Sequence, residues 1–314
     1  MFHNRKSSLV KMSGSDRLLL VYSTNSNVFY ERLAQRLLAA CKESSLPVES
    51  RTATQLRSMT EDQLADTTLI LVNPVDCAHK VGNAPRLFSR VSAAKRRLMI
   101  LAEAVETTWF KNQFQLPIQY DALIDVGFAS QHDKLEDFDI PYRFLFNGAT
   151  RQEAQTIAQP TPSRRHIPWT IVGHRTAGRV KLASELIRRV DPGGLVFLPD
   201  AGTGVRRGGS SISPLGLASV LSRTRYYVWT SHHEFAYYES FRFIEAILAG
   251  AMPCKVDSTV TWEQHGIPGI FESIETLCDC IRSKRFSAVQ RSAREYYLSQ
   301  GRLADHLQAV LENV

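Results

Sequence analysis

Two consecutive doubly wound α/β domains facing a shared cleft are the architecture this 314-residue chain predicts. Three observations carry that expectation. Short all-apolar segments alternate with stretches of helical spacing, and a polar, proline-bearing stretch interrupts the rhythm near the middle. The same rhythm then restarts. Apolar strands without polar alternation belong in parallel sheets covered by helices on both faces.

In the first domain, residues 16–148, Leu18-Leu19-Leu20-Val21-Tyr22 is a buried run that ends in the small polar loop Ser23-Thr24-Asn25-Ser26-Asn27. Tyr30 to Lys42 has helical spacing, with Leu33, Leu37, Leu38 and Cys41 on one side. Thr68–Val72, Leu98–Leu101 and Ala122–Val126 read as three further strands, which makes the domain Rossmann-like. Lys95-Arg96-Arg97 reads as a solvated helix end ahead of the third of these four strands. Residues 149–167, rich in Gln, Thr, Pro, Ser and Arg, read as a linker, with Pro160, Pro162 and Pro168 set against regular structure. The second domain, 168–290, restarts at Trp169–Gly173, continues with a helix over Arg179–Val190, and adds strands at Gly194–Leu198 and Tyr226–Trp229. Residues 291–314 predict a helix broken near Gly301. Residues 1–15 read as a disordered tail.

Composition narrows the function classes. Hydrophobic residues make up 44% and charged residues 22%, ordinary values for a soluble globular protein. No apolar run approaches the roughly 20 residues that cross a bilayer, and the first residues lack the apolar stretch of a signal peptide. Five scattered cysteines, Cys41, Cys77, Cys254, Cys278 and Cys280, read as free thiols of a reducing compartment, so the expected location is the cytoplasm. The net charge of +7 favours anionic ligands or acceptors, glycan or nucleic acid, without choosing among them. There is no G-x-G-x-x-G after the first strand and no G-x-x-x-x-G-K-[ST]. Dinucleotide dehydrogenases and P-loop NTPases are therefore disfavoured.

The most informative segment is Tyr238 to Pro253, a helix stopped by Gly250 and followed by a proline-led strand. Glu239, Arg242 and Glu245 recur at intervals of three, so one guanidinium can reach both carboxylates. A helix start favours an anion such as phosphate. A guanidinium for phosphate with a carboxylate for sugar hydroxyls is what a nucleotide-sugar site needs. The pattern S-x-R-x-x-E-A-I-x-x-G-x-x-P, running from Ser240, resembles the donor-binding segment of exostosin-like glycosyltransferases of the two-domain GT-B fold. In related transferases a further glutamate stands eight residues before the second. That position here is Tyr237, which leaves Glu239 as the candidate replacement.

The resemblance covers about residues 165–255 in motif and the rest only in architecture. It implies a transferase that moves a sugar from a nucleotide-diphosphate donor to an acceptor hydroxyl on a glycan, small molecule or modified nucleobase. It implies no cofactor and no metal bound through Asp-x-Asp. It implies that Gly173, His174, Arg175 and Arg179 form the loop near the donor diphosphate, and that Trp229 and Ser231 line the donor pocket with Glu239, Ser240, Arg242 and Glu245, with the C-terminal helix crossing back to the first domain. The adjacent His232 and His233, with Glu234, point apart and make a poor metal site. The glycine- and arginine-bearing loop Pro199–Pro214 is able to close over an anion, and equally fits a mobile surface loop. The acceptor falls to the first domain, where an inverting transfer needs a base at a strand end. Glu103 and Glu106, followed by Trp109 and Phe110 for sugar stacking, are the candidates, with Asp76 as competitor. Two other classes stay open: a non-catalytic nucleotide- or glycan-binding module, and a basic nucleic-acid-binding protein.

Overall fold

The structure, a computed structural model, describes residues 17–25, 27–82, 84–135, 138–159, 164–190, 193–200, 211–231, 235, 237, 239–256, 266–283 and 285–314. Two parallel sheets organise these residues. The first runs in the order β2-β1-β3-β4-β5-β6, with β1 Arg17–Tyr22, β2 Val48–Thr52, β3 Thr67–Val72, β4 Arg96–Leu101, β5 Ala122–Gly127 and β6 Tyr142–Phe146. The second runs β11-β10-β9-β7-β8, with β7 Ile167–Val172, β8 Leu195–Phe197, β9 Thr224–Thr230, β10 Met252–Val256 and β11 Ile270–Phe271. Each sheet reverses its winding once, between β1 and β3 and between β7 and β9. Crevices for ligands open at the carboxyl ends of strands at such switch points.

Helices α1 Val28–Glu43, α2 Ala53–Ser58, α3 Pro74–Lys80, α4 Ala84–Ser92 and α5 Thr108–Gln113 cover the first sheet. β3 and β5 are buried along their whole length, as apolar strands flanked on both faces must be. The strands the apolar pattern passed over, β2, β6 and β11, lie at sheet edges and are only partly buried, so their sequences need not be apolar. Arg96 and Arg97 open β4 instead of ending a helix. The guanidinium of Arg97 pairs with Asp121, and that of Arg96 donates to the carbonyl of Val314.

Inside the stretch read as linker, α6 Arg151–Ala158 forms because Thr150 and Glu153 complete a reciprocal capping box. Pro168 is the second residue of β7, near the start of the strand, where a missing N–H is tolerated. The second sheet carries α7 Ala177–Arg189, α8 Pro214–Leu221, α9 Ser240–Ala249, α10 Ile274–Arg282 and α11 Phe286–Ser299. After Gly301, at φ 89°, α12 Leu303–Glu312 packs on the first sheet, sharing a core with Leu18, Leu20, Leu33 and Leu37. Among the described residues no helix is long and apolar enough to cross a membrane. The five cysteines are free thiols, all but Cys280 buried.

The chain crosses between the sheets twice, near 147–150 and near 300–303, and the two passes touch. Leu303 N–H donates to the carbonyl of Ala149 at 3.0 Å. A Cβ on Gly148 would stand 2.7 Å from the carbonyl oxygen of Gly301, so only glycine fits there. Arg36 of α1 locks the crossing. Its Nε and Nη2 fork onto Glu153 at 2.8 and 2.9 Å, Nη2 also reaches the Gly148 carbonyl at 2.7 Å, and Nη1 bonds Asn147. Phe128 after β5 adds an apolar bridge, its ring 4.9 Å from Phe243 of α9 and 5.7 Å from Tyr297 of α11.

Arg36→Ala should lower the unfolding free energy by about 3–5 kcal/mol in a urea titration, because Glu153 is left as a buried carboxylate without its cation. Burial alone would raise the Glu153 carboxyl, but Arg36 outweighs it and holds the group below its ordinary range. The associated stability is therefore present at neutral pH and lost as pH falls through that lowered range. In Arg36→Ala this acid-dependent loss should vanish. A change under 1 kcal/mol would mean the crossing is held by its backbone contacts alone.

Candidate functional site

At the end of β7 the chain turns sharply at Gly173, and two guanidinium groups close in on it. A Cβ at this position would meet Arg179 Nη1 at 2.7 Å and Arg242 Nη2 at 3.0 Å. Arg179 of α7 is 1% exposed and donates to the carbonyls of His174 at 3.0 Å and Thr230 at 3.3 Å. Arg242 of α9 donates Nη1 to the Val172 carbonyl and to Tyr227 Oη, both at 2.7 Å. Burial, then the neighbouring Arg242, pushes Arg179 down to about 10. Glu239 lies 3.5 Å from each guanidinium.

Glu239 Oε2 and Arg179 Nε are buried and, among the described residues, have no hydrogen-bond partner. Glu245 feels the charge of Arg242 but forms no ion pair with it, although its spacing suggested it would. Its carboxylate pairs with Arg32 of α1, from the other domain. Three cations, Arg32, Arg179 and Arg242, thus face two carboxylates, Glu239 and Glu245, and the cluster keeps one positive charge in excess. Such an excess, half-sealed from water, favours an anion.

The remaining donor candidates separate. Arg175 is drawn outward to Asp200 at 2.9 Å, on the exposed surface. Trp229 is wholly buried in the core between β9 and α8, with Val172, Leu217 and Leu221. His174 contributes its carbonyl to Arg179, and Ser231 follows the end of β9. Ser240 opens α9 and accepts from Asn147 Nδ2 at 3.0 Å, which ties the helix start to the interdomain crossing. His232, His233, Glu234, Pro160, Pro162, residues 1–16 and most of the Pro199–Pro214 loop lie outside the described residues.

In the first domain Glu103 stands just beyond β4. Tyr30 Oη donates to Glu103 Oε1 at 3.0 Å and accepts from the Ala102 N–H at 3.3 Å. Burial pushes the Glu103 carboxyl up to about 7; the Tyr30 bond opposes this, and the charges of Glu239 and Asp76 add to it. That coupling to Glu239 spans the two domains. Glu106 is engaged by Lys134 at 2.7 Å near the surface. Asp76, 6% exposed, accepts from Asn73 Nδ2 at 2.9 Å in the cap of α3. Of the two expected aromatics, Trp109 is partly exposed and packs its edge near His79, whereas Phe110 is in the core with Phe114 and Phe138.

Several residues of this region carry no motif. The hydroxyl of Tyr237 is buried and unbonded, under the charges of Asp125, Glu103 and Glu239. Beneath it the fully buried Lys255 of β10 donates to the Tyr237 carbonyl. Asp125, in the middle of an apolar strand, is raised to about 7 by burial, and accepts from Tyr142 Oη at 2.9 Å. A lone carboxylate in a buried strand was the one legible signal for it, since an unpaired charge there is expensive.

No family model matches the chain, and no curated protein matches it. Among solved structures it resembles a DNA-modifying β-glucosyltransferase, solved with and without its substrate uridine diphosphoglucose. The match has 10% identity and a TM-score of 0.56, covering 95% of this chain and all of that one. It also resembles an α1,3-fucosyltransferase at 12% identity and a TM-score of 0.48, covering 98% and 93%. The fold of this chain is the two-domain GT-B fold of glycosyltransferases.

Proposed function

We propose that this protein transfers a sugar from a nucleoside-diphosphate donor to an acceptor hydroxyl without a catalytic metal. The observation that carries the reading is the pairing of two unlike centres across one cleft. A buried double guanidinium with uncompensated positive charge ends β7 and β9, and a half-buried carboxyl poised near neutral pH ends β4. The first suits a diphosphate, whose charge the two arginines neutralise in the role a cation otherwise fills. The second suits a general base for the acceptor, since proton abstraction is most effective when the base titrates near working pH. The exostosin-like pattern on α9 supplies the division of labour: Arg242 toward the diphosphate, and Glu239 or Glu245 toward ribose or sugar hydroxyls.

Of the three acids considered, Glu103 is the proposed base. Glu106 is engaged by a lysine at the surface, and Asp76 is built into a helix cap. For the acceptor, the net charge of +7 and the likeness to a DNA-modifying transferase favour a hydroxyl-bearing base in duplex DNA. Binding that falls steeply with salt is then expected. Five free thiols fit a reducing compartment, and we place the protein in the cytoplasm.

Calorimetry with UDP and GDP in excess chelator should show binding. Strict dependence on magnesium or manganese would overturn the metal-free reading. Arg242→Ala should weaken the diphosphate by about 1.5–3 kcal/mol, roughly 10- to 150-fold, and the bare nucleoside far less. Glu245→Ala should lower both nucleotide affinity and melting temperature, because it strips Arg32 of its partner.

Glu103→Gln should reduce turnover about 100- to 10,000-fold while leaving donor affinity intact. In the native protein kcat/KM should climb with pH and level off above about 7, since only the ionised carboxylate accepts a proton. The same raised group works against stability: favoured in its protonated form when folded, it gives stability that is full below the ordinary glutamate range and lost as pH rises toward 7. Glu103→Gln should therefore melt higher than the native protein at pH 8 and equally at pH 4. A flat pH–rate profile would rule Glu103 out.

A further inference from the structure

Gln131, in the turn after β5, engages both donors and the oxygen of its side-chain amide around the strand end that carries Glu103. Its Oε1 accepts from the Val105 N–H at 3.1 Å. Its Nε2 donates to the Glu103 carbonyl at 3.0 Å and to both carboxylate oxygens of Asp125 at 3.3 Å. The neutral amide thus grips residues 103 and 105 from one side and rests on a buried carboxylate from the other.

The support behind it is equally complete. Tyr142 Oη donates to Asp125 Oδ2 at 2.9 Å and accepts from the Gln131 N–H at 3.1 Å, and Ser130 Oγ shares a bond with it at 2.9 Å. Gln131 is 6% exposed and Asp125 1% exposed. Two buried polar side chains bonded to each other and to the turn in this way form a rigid frame, because any slackening leaves a desolvated donor or acceptor unpaired.

What the frame holds is the turn that carries Glu103, whose other fixings are the Thr107 bonds to the Ala104 carbonyl, Val105 in the core and the Glu106–Lys134 pair. Residues 102–106 leave β4 without helix or strand, and no described side chain except Tyr30 forms a hydrogen bond with the Glu103 carboxyl. Tyr30 occupies Oε1, so the orientation of Oε2 follows from how the backbone of the turn is set. General-base efficiency depends on that setting, since a misplacement of about 1 Å can cost on the order of 100-fold in rate.

We propose that Gln131, braced by Asp125 and Tyr142, is the positioning residue that aims the Glu103 carboxylate at the acceptor hydroxyl. The inference rests on Glu103 being the base. It adds a device that acts through Glu103 without touching the substrate. The groups that face Glu103 are Tyr30 from α1, Asp76 from α3, and Tyr237 and Glu239 from the segment leading into α9. Those that face Asp125 are Tyr142 and Tyr237.

The test uses Gln131→Met, which keeps the length of the side chain and removes its hydrogen bonds. A milder variant, Tyr142→Phe, removes one hydroxyl if the methionine variant does not fold. Two readouts are taken on the full chain. In the first, the carboxyl carbon of Glu103 is followed by NMR in glutamate-labelled protein, assigned by its loss in Glu103→Gln. Its midpoint near 7 should move toward the ordinary glutamate range when the frame is cut, as the turn loosens into water. In the second, transfer from UDP-glucose to duplex DNA carrying hydroxyl-bearing bases is measured alongside hydrolysis of UDP-glucose in water. Gln131→Met should lower kcat at least tenfold with UDP affinity unchanged within twofold, and should cause no further loss in the Glu103→Gln background.

An unmoved Glu103 titration overturns the inference whatever the activity, and so does an equal loss in both backgrounds. Retention of full turnover by Glu103→Gln overturns the base assignment, and the positioning role with it. A protein that turns over neither substrate, yet shows the moved titration, refutes the catalytic reading and leaves Gln131 a purely structural brace.

Discussion

Everything at the cleft depends on how the two sheets are held against each other, and one buried cation does most of that work. Arg36 belongs to α1, the helix that follows the first strand, yet its partners lie at the interdomain crossing: Asn147, Gly148 and Glu153. Tyr297, from α11, closes the set by donating to the Asn147 carbonyl. A guanidinium meets this demand because its planar fork can serve a carboxylate, an amide and a carbonyl at once, which an ammonium cannot. Asn147 then passes the constraint on, donating to Ser240 at the head of α9. The helix carrying Arg242 is thereby referenced to the first domain before any ligand arrives.

The electrostatics of the cleft follow from that reference. Arg32 reaches Glu245 only because α1 lies alongside α9, and Glu103 feels Glu239 only because β4 ends opposite the start of α9. Charges held half-dry in this way are costly. Burial raises the carboxyls of Glu103 and Glu245 and lowers the Arg179 guanidinium, and among the described residues Glu239 Oε2, Arg179 Nε and Tyr237 Oη are left unbonded. An enzyme keeps such unsatisfied groups where a ligand will satisfy them. All three belong to the second domain and gather around the start of α9, on the side that faces Glu103.

Beneath these groups lies a second layer of bonded polar side chains. Lys255 donates to the Tyr237 carbonyl, and Gln131 ties the Val105 N–H and the Glu103 carbonyl to Asp125. A strained upper layer over a bonded lower one is the arrangement that lets a loop hold a fixed geometry without regular structure of its own.

The sequence by itself determined the layers. Leu18–Tyr22, Thr68–Val72 and Ala122–Val126 could only be buried parallel strands, and Ser240-x-Arg242-x-x-Glu245 announced a helix with a charged face. Gly173 and Gly301 were visible as breaks. It could not show that β2, β6 and β11 exist, because edge strands bury too little to need an apolar pattern. Nor could it show that Glu245 would leave Arg242 for Arg32, 213 residues away, or that Trp229 would turn into the core while Arg175 turned out to Asp200. Intervals of three and four residues bind partners along one helix, and a sequence states those intervals directly. Which carboxylate is dry, which cation is shared and which amide supports a turn are set by side chains that meet only after two sheets have closed. The energies that rank them come from the desolvation this closure imposes.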